Sequence, residues 1–151
     1  MSDSQLINKI KRVSKFIPAT IIGAGLTIAC FYLGLGKIES FSQEIGNVEV
    51  YSRFDFSLIP FGIVMLGFTI TAVYYIYYEK RFEDAFGHIL NYTMLGAFAL
   101  SIILVFITPS IYQNRFENAG LKECNGTPSS YLPLFGTKFA KDESLCRIRN
   151  H

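Results

Sequence analysis

Apolar and polar positions along this chain fall into long blocks rather than a short alternation. Three stretches carry no charged residue: FIPATIIGAGLTIACFYLGLG (Phe16 to Gly36), FSLIPFGIVMLGFTITAVYYIYY (Phe56 to Tyr78) and ILNYTMLGAFALSIILVFITPSIY (Ile89 to Tyr112). At about 1.5 Å rise per residue, a helix of each length crosses the ~30 Å hydrocarbon core of a bilayer. None alternates with period two, which argues against strands. None carries the polar stripe of a helix in a soluble bundle. The pattern predicts an all-α membrane protein with three transmembrane helices over 16–36, 57–78 and 89–108. A loop (37–56) and a short turn (79–88) separate them, an N-terminal segment (1–15) precedes them, and a tail (109–151) follows.

Ahead of the first span, Leu6, Ile7, Ile10, Val13 and Ile17 repeat at helical spacing, while Lys9, Lys11, Arg12 and Lys15 take other positions. This predicts a basic amphipathic helix at an anionic membrane surface. The same basic residues suit the n-region of a signal peptide, and Leu26 to Cys30 approaches a lipoprotein cleavage box. Thr27 stands where a branched aliphatic is usual, however, and the apolar run continues through Phe31, Tyr32 and Leu33. An uncleaved anchor, with Cys30 kept in the membrane, is the expectation. Tyr74, Tyr75, Tyr77 and Tyr78 close the second span and suit a headgroup belt, the alternative being a tyrosine-lined ligand mouth.

Charge then fixes an expected orientation. With the N-terminus in the cytoplasm, Lys9, Lys11, Arg12, Lys15, Lys80 and Arg81 lie inside, against Lys37, Arg53, Arg115 and Lys122 outside. The bias is sharpest before the first span, which usually dominates. Three spans then place the C-terminal tail on the outer side of the membrane.

That tail contains Cys124 and Cys146, and an oxidising compartment lets a disulfide persist. A tail this short builds little core of its own, so a structural disulfide between the two is the favoured reading. A metal site is the poorer alternative, with no His near either Cys. A redox pair is poorer too, because the chain lacks a C-x-x-C motif. Pro128, Pro133 and Gly136 make a long helix improbable between the cysteines. The expectation is an irregular Ω-like loop with one helical turn near Asp142 to Cys146. Asn125-Gly126-Thr127 reads either as a glycosylation sequon or as a tight turn. In the first loop, Val48, Val50, Ser52 and Phe54 alternate with Glu49, Tyr51 and Arg53. This suits a short half-buried strand, whose nearest candidate partner is the tail around Thr137 to Ala140. The loop carries −2 and the tail +2, which favours their docking.

Composition narrows the function. Only 17% of residues are charged, below the ~25% of ordinary soluble domains, and the net charge of +2 is too small to suggest nucleic acid. No ionisable side chain falls at mid-span, where transporters and pumps usually place one. The two histidines, His88 and His151, fall on opposite sides, and no nucleophile–base pair, metal motif or phosphate loop is present. No enzyme activity and no cofactor are expected. Small residues Ala19, Gly23, Thr27, Cys30 and Gly34 on the first span, Thr93, Ala97 and Ser101 on the third, and more loosely Gly62, Thr69 and Ala72 on the second, form helix-packing faces. Such faces serve packing within the chain or contact with another membrane protein.

The arrangement of a basic amphipathic start, three spans and the tail GLKECNGTPSSYLPLFGTKFAKDESLC resembles an uncharacterised family of small enterobacterial three-span inner-membrane proteins. Gly120, Cys124, Pro128, Thr137, Lys138, Phe139, Leu145 and Cys146 carry the resemblance. It implies architecture and a bacterial envelope location, not chemistry, and it weighs against glycosylation at Asn125.

The expected function is that of a non-enzymatic binding protein embedded in the lipid bilayer. The favoured reading is an immunity protein that occludes a periplasm- or membrane-acting protein toxin, by analogy with other small membrane proteins lacking catalytic groups. The alternative is an accessory or regulatory subunit of a membrane transporter or envelope enzyme. For partner binding the candidates are Tyr131, Leu132, Phe135 and Phe139 as apolar anchors, with Lys138, Lys141, Arg147 and Arg149 facing an acidic partner. The competing role for the apolar set is packing of the tail on the first loop.

Overall fold

A computed structural model describes residues 3–124 and 136–146. In chain order the elements are α1 (Asp3–Ser42), β1 (Val48–Ser52), α2 (Leu58–Tyr78), α3 (Phe82–Phe86), α4 (Ile89–Asn118), β2 (Lys122–Glu123), β3 (Gly136–Ala140) and α5 (Glu143–Cys146). Three helices are long and apolar enough to cross a membrane: Phe16–Ser42 within α1, all of α2, and all of α4. Their mean hydropathies are 1.9, 1.8 and 2.2, and large apolar side chains point outward, as with Ile28 at 70% and Phe106 at 76% exposure. A helix satisfies its backbone internally and can present such a surface to lipid.

Two of these helices run further than their uncharged stretches. The basic N-terminal segment and the first span are one continuous helix, which continues past Gly36 to Ser42. α4 passes through Pro109 and ends at Asn118, so the tail begins as helix. Its stop is written in the backbone. Gly120 takes φ +80°, Gly120 N–H donates to Glu117 O (2.9 Å), and Leu121 N–H donates to Phe116 O (3.0 Å). This is a Schellman ending, and its characteristic apolar contact joins Phe116 and Leu121.

The chain forms two compact units: Met1–Tyr32 with Ile59–Leu100, and Leu33–Leu58 with Ser101–His151. In the first unit, small residues set how close the helices come. A Cβ on Gly23 would lie 2.7 Å from Thr69 Oγ1, one on Gly62 3.2 Å from Cys30 Cβ, and one on Gly67 2.5 Å from Met94 Cγ. A larger residue at any of the three would force a neighbouring side chain to shift, as expected where small residues let membrane helices approach closely. Thr27 and Cys30 are buried, and Ala97 is half-buried, while Ala19 and Thr93 are exposed. Tyr74 packs on Phe82 and Phe86 and Tyr75 on Phe16. Tyr77 and Tyr78 remain exposed.

The second unit is built around a three-stranded antiparallel sheet of order β1-β3-β2. Val48 pairs with Ala140 and Ser52 with Gly136, while Lys122 and Glu123 pair with Ala140 and Phe139. The strand read from the first loop therefore exists and meets the expected stretch of tail. Its inward side chain is Tyr51; Val50 is 44% exposed. Tyr112 stacks between Tyr51 (4.7 Å) and Phe56 (5.3 Å), with Phe41 edge-on at 5.3 Å. Phe116, Leu121 and Phe139 complete this core. Gly34 is buried, and buried Ser101 donates to Ser57 O at 3.2 Å. The Ω-like loop and the Asn125 to Thr127 sequence lie outside the described residues.

Candidate functional site

The site proposed from sequence lies between two cysteines, and a disulfide joins them: Cys124 and Cys146 are bonded, with Cα atoms 5.6 Å apart. Both are buried, at 2% and 7% exposure, in a small cluster with Ala140, against which Val48 and Leu145 pack. Local structure brings them together. β2 delivers Cys124 alongside β3, where its N–H donates to Lys138 O at 2.9 Å. α5 then turns the chain back, with Leu145 N–H donating to Asp142 O at 3.0 Å. The helical turn expected near Asp142 to Cys146 is this α5.

Of the proposed partner-binding residues, Phe139 and Lys138 are buried, at 1% and 4% exposure. Phe139 packs at a tilt against Phe116 with centroids 5.3 Å apart, and Lys138 Nζ donates to Cys146 O at 3.1 Å. Both hold the unit together from within, because β3 is the central strand and is covered on both edges. Lys141 is exposed, its backbone N–H tied to Asn47 O at 3.1 Å. Tyr131, Leu132, Phe135, Arg147 and Arg149 lie outside the described residues.

Beside the aromatic core is a polar crevice of about 40 Å³, lined among others by Lys37, Glu49, Asp55, Tyr112 and Arg115. That volume admits only a water or two. Asp55, 3% exposed, accepts from Ser52 N–H at 3.0 Å, lies 3.7 Å from Lys37 Nζ and is a side-chain hydrogen-bond partner of Tyr112. A buried carboxylate persists only with such partners. Arg115 donates to Phe41 O and to Gln43 O and lies 4.1 Å over the Phe41 ring. It thereby caps the C-terminal end of α1, where unsatisfied carbonyls and the helix dipole favour a cation. Sequence reading missed Asp55, Tyr112 and Arg115 as a group. The available signal was the position of each at the edge of an uncharged run. Among the described residues, no group of three or more His, Cys, Asp or Glu is placed to hold a metal ion.

The arrangement gives a braced platform rather than a pocket: a short sheet, one aromatic core and a covalent tie that fixes both ends of the connection through 125–135. A family model described as "Protein of unknown function (DUF1240)" matches residues 48–147, which span β1 through α5 and include both bonded cysteines. No curated protein and no solved structure matches the chain.

Proposed function

The chain belongs to this family, and from that premise we propose that it is a non-enzymatic binding protein of a bacterial inner membrane. Its N-terminus faces the cytoplasm and its second unit faces the periplasm. Its partner is a protein toxin acting in the periplasm or the membrane, which it neutralises by occlusion as an immunity protein. The observation that carries the reading is the buried Cys124–Cys146 bond. Such a bond persists in an oxidising compartment, and a covalent tie between Cys124 and Cys146 supports a binding role because a restrained segment loses less freedom when a partner binds.

The test is protection. Sensitive cells expressing the protein should survive challenge by a candidate periplasm- or membrane-acting protein toxin, and cells expressing the Cys124→Ser variant should lose most of that protection. Survival no better than with an empty vector overturns the reading.

A second reading, an accessory or regulatory subunit of a membrane transporter or envelope enzyme, draws on the helix faces. Ala19 and Thr93 are exposed, and a Cβ on Gly25 or Gly96 meets nothing within 4 Å among the described residues. A further membrane helix fits closely on such faces. Stable co-purification with a transporter, without protection against any toxin, selects this reading.

A further inference from the structure

The first unit holds an open cavity of about 450 Å³ at the end of α2. Its body is apolar: Phe16 from α1, Phe68 and Tyr75 from α2, and Phe82 from α3 line it, with the Phe16 and Tyr75 rings 4.9 Å apart. Two consecutive cations, Lys80 and Arg81, also line it, from the link between α2 and α3. Both are exposed, and among the described residues neither forms an ion pair. Glu83, the one carboxylate lining it among the described residues, is already engaged: it accepts from Asn91 Nδ2 and faces His88 Nδ1 at 4.0 Å.

The polarity of this cavity is that of an amphiphile. Tyr78 ends a membrane-crossing helix, so Lys80 and Arg81 follow at the level where hydrocarbon gives way to headgroups. Basic pockets between membrane helices at that depth hold anionic lipid headgroups. The volume lies within the range of ligand sites and suits a phosphate-bearing headgroup with the start of one acyl chain. A free anion would leave the aromatic walls unused, and a zwitterionic lipid, with no net negative charge, would leave the two cations uncompensated.

We infer that this cavity is a binding site for one anionic phospholipid of the bilayer, its phosphate on Lys80 and Arg81 and an acyl chain along Phe16, Phe68 and Tyr75. The site depends on neither the toxin reading nor the orientation of the chain.

Native mass spectrometry of the full-length protein in detergent tests it, with phosphatidylglycerol and phosphatidylcholine as lipid probes and inorganic phosphate as the soluble one. Taking the usual contribution of each basic residue near a lipid surface, phosphatidylglycerol should bind about 30-fold more tightly than phosphatidylcholine. The K80Q/R81Q double variant should abolish that preference. Ala72→Phe, which places a ring in the cavity that Ala72 lines, should weaken both lipids. On the unmodified protein, raising the salt should erode the preference, a measurement that does not depend on how either variant folds. Equal binding of the two lipids by the wild type overturns the inference. So does an undiminished preference in K80Q/R81Q, or displacement of the lipid by inorganic phosphate alone.

Discussion

Phe139→Ala should destabilise the second unit by about 3–5 kcal/mol, the usual cost of removing a fully buried aromatic ring. Phe139 is 1% exposed and touches both sides of the aromatic core, with centroids 5.3 Å from Phe116 and 6.1 Å from Tyr51. The space it leaves has little means of closing. β3 is paired on both edges, and Tyr51 is held in its stack with Tyr112. Native-state hydrogen exchange should show lost amide protection across β1 and β3. Val50→Ala in the same sheet removes a 44% exposed side chain and should change stability by less than about 1 kcal/mol. Equal effects of the two substitutions would contradict the core described above.

Loss of the disulfide should be the next largest effect. Cys124 and Cys146 are 22 residues apart, and closing a loop of that length contributes about 3 kcal/mol in the chain-entropy model. Cys124→Ser and Cys146→Ser each remove the whole bond, so the double variant should be scarcely less stable than either single one. Reduced wild-type protein should behave like all three. Limited proteolysis is the readout: cleavage between Glu123 and Gly136 should accelerate in the variants and, on reduction, in the wild type. Unchanged cleavage after reduction would mean that the bond constrains nothing.

How much of this was legible follows from what kind of physics writes each feature. Uncharged runs long enough to cross a bilayer announce themselves, and all three became helices. Alternation from Val48 to Ser52 gave a strand, and the compartment argument gave a bond between two distant cysteines. Helix ends outside the apolar runs were not legible. The expected third span stops at 108, yet α4 continues through Pro109 to Asn118, where the Schellman ending and the packing of Tyr112 and Phe116 offset what a proline costs inside a helix. The extension of α1 to Ser42 depends on Arg115, more than 70 residues away, which caps it. No local pattern encodes such a contact. Lys138 looked like a surface cation for the same reason. Its burial is set by β1 and β2 on either side and by the carbonyl of Cys146.

The account rests on three membrane crossings that leave the two ends of the chain on opposite sides, with the bonded cysteines outside the cell's reducing interior. The direct measurement is a pair of fusions after His151: one reporter that matures only in the periplasm and one that matures only in the cytosol. The account predicts activity from the periplasmic reporter alone. Activity from the cytosolic reporter alone would place Cys124 and Cys146 in a reducing solvent and contradict it.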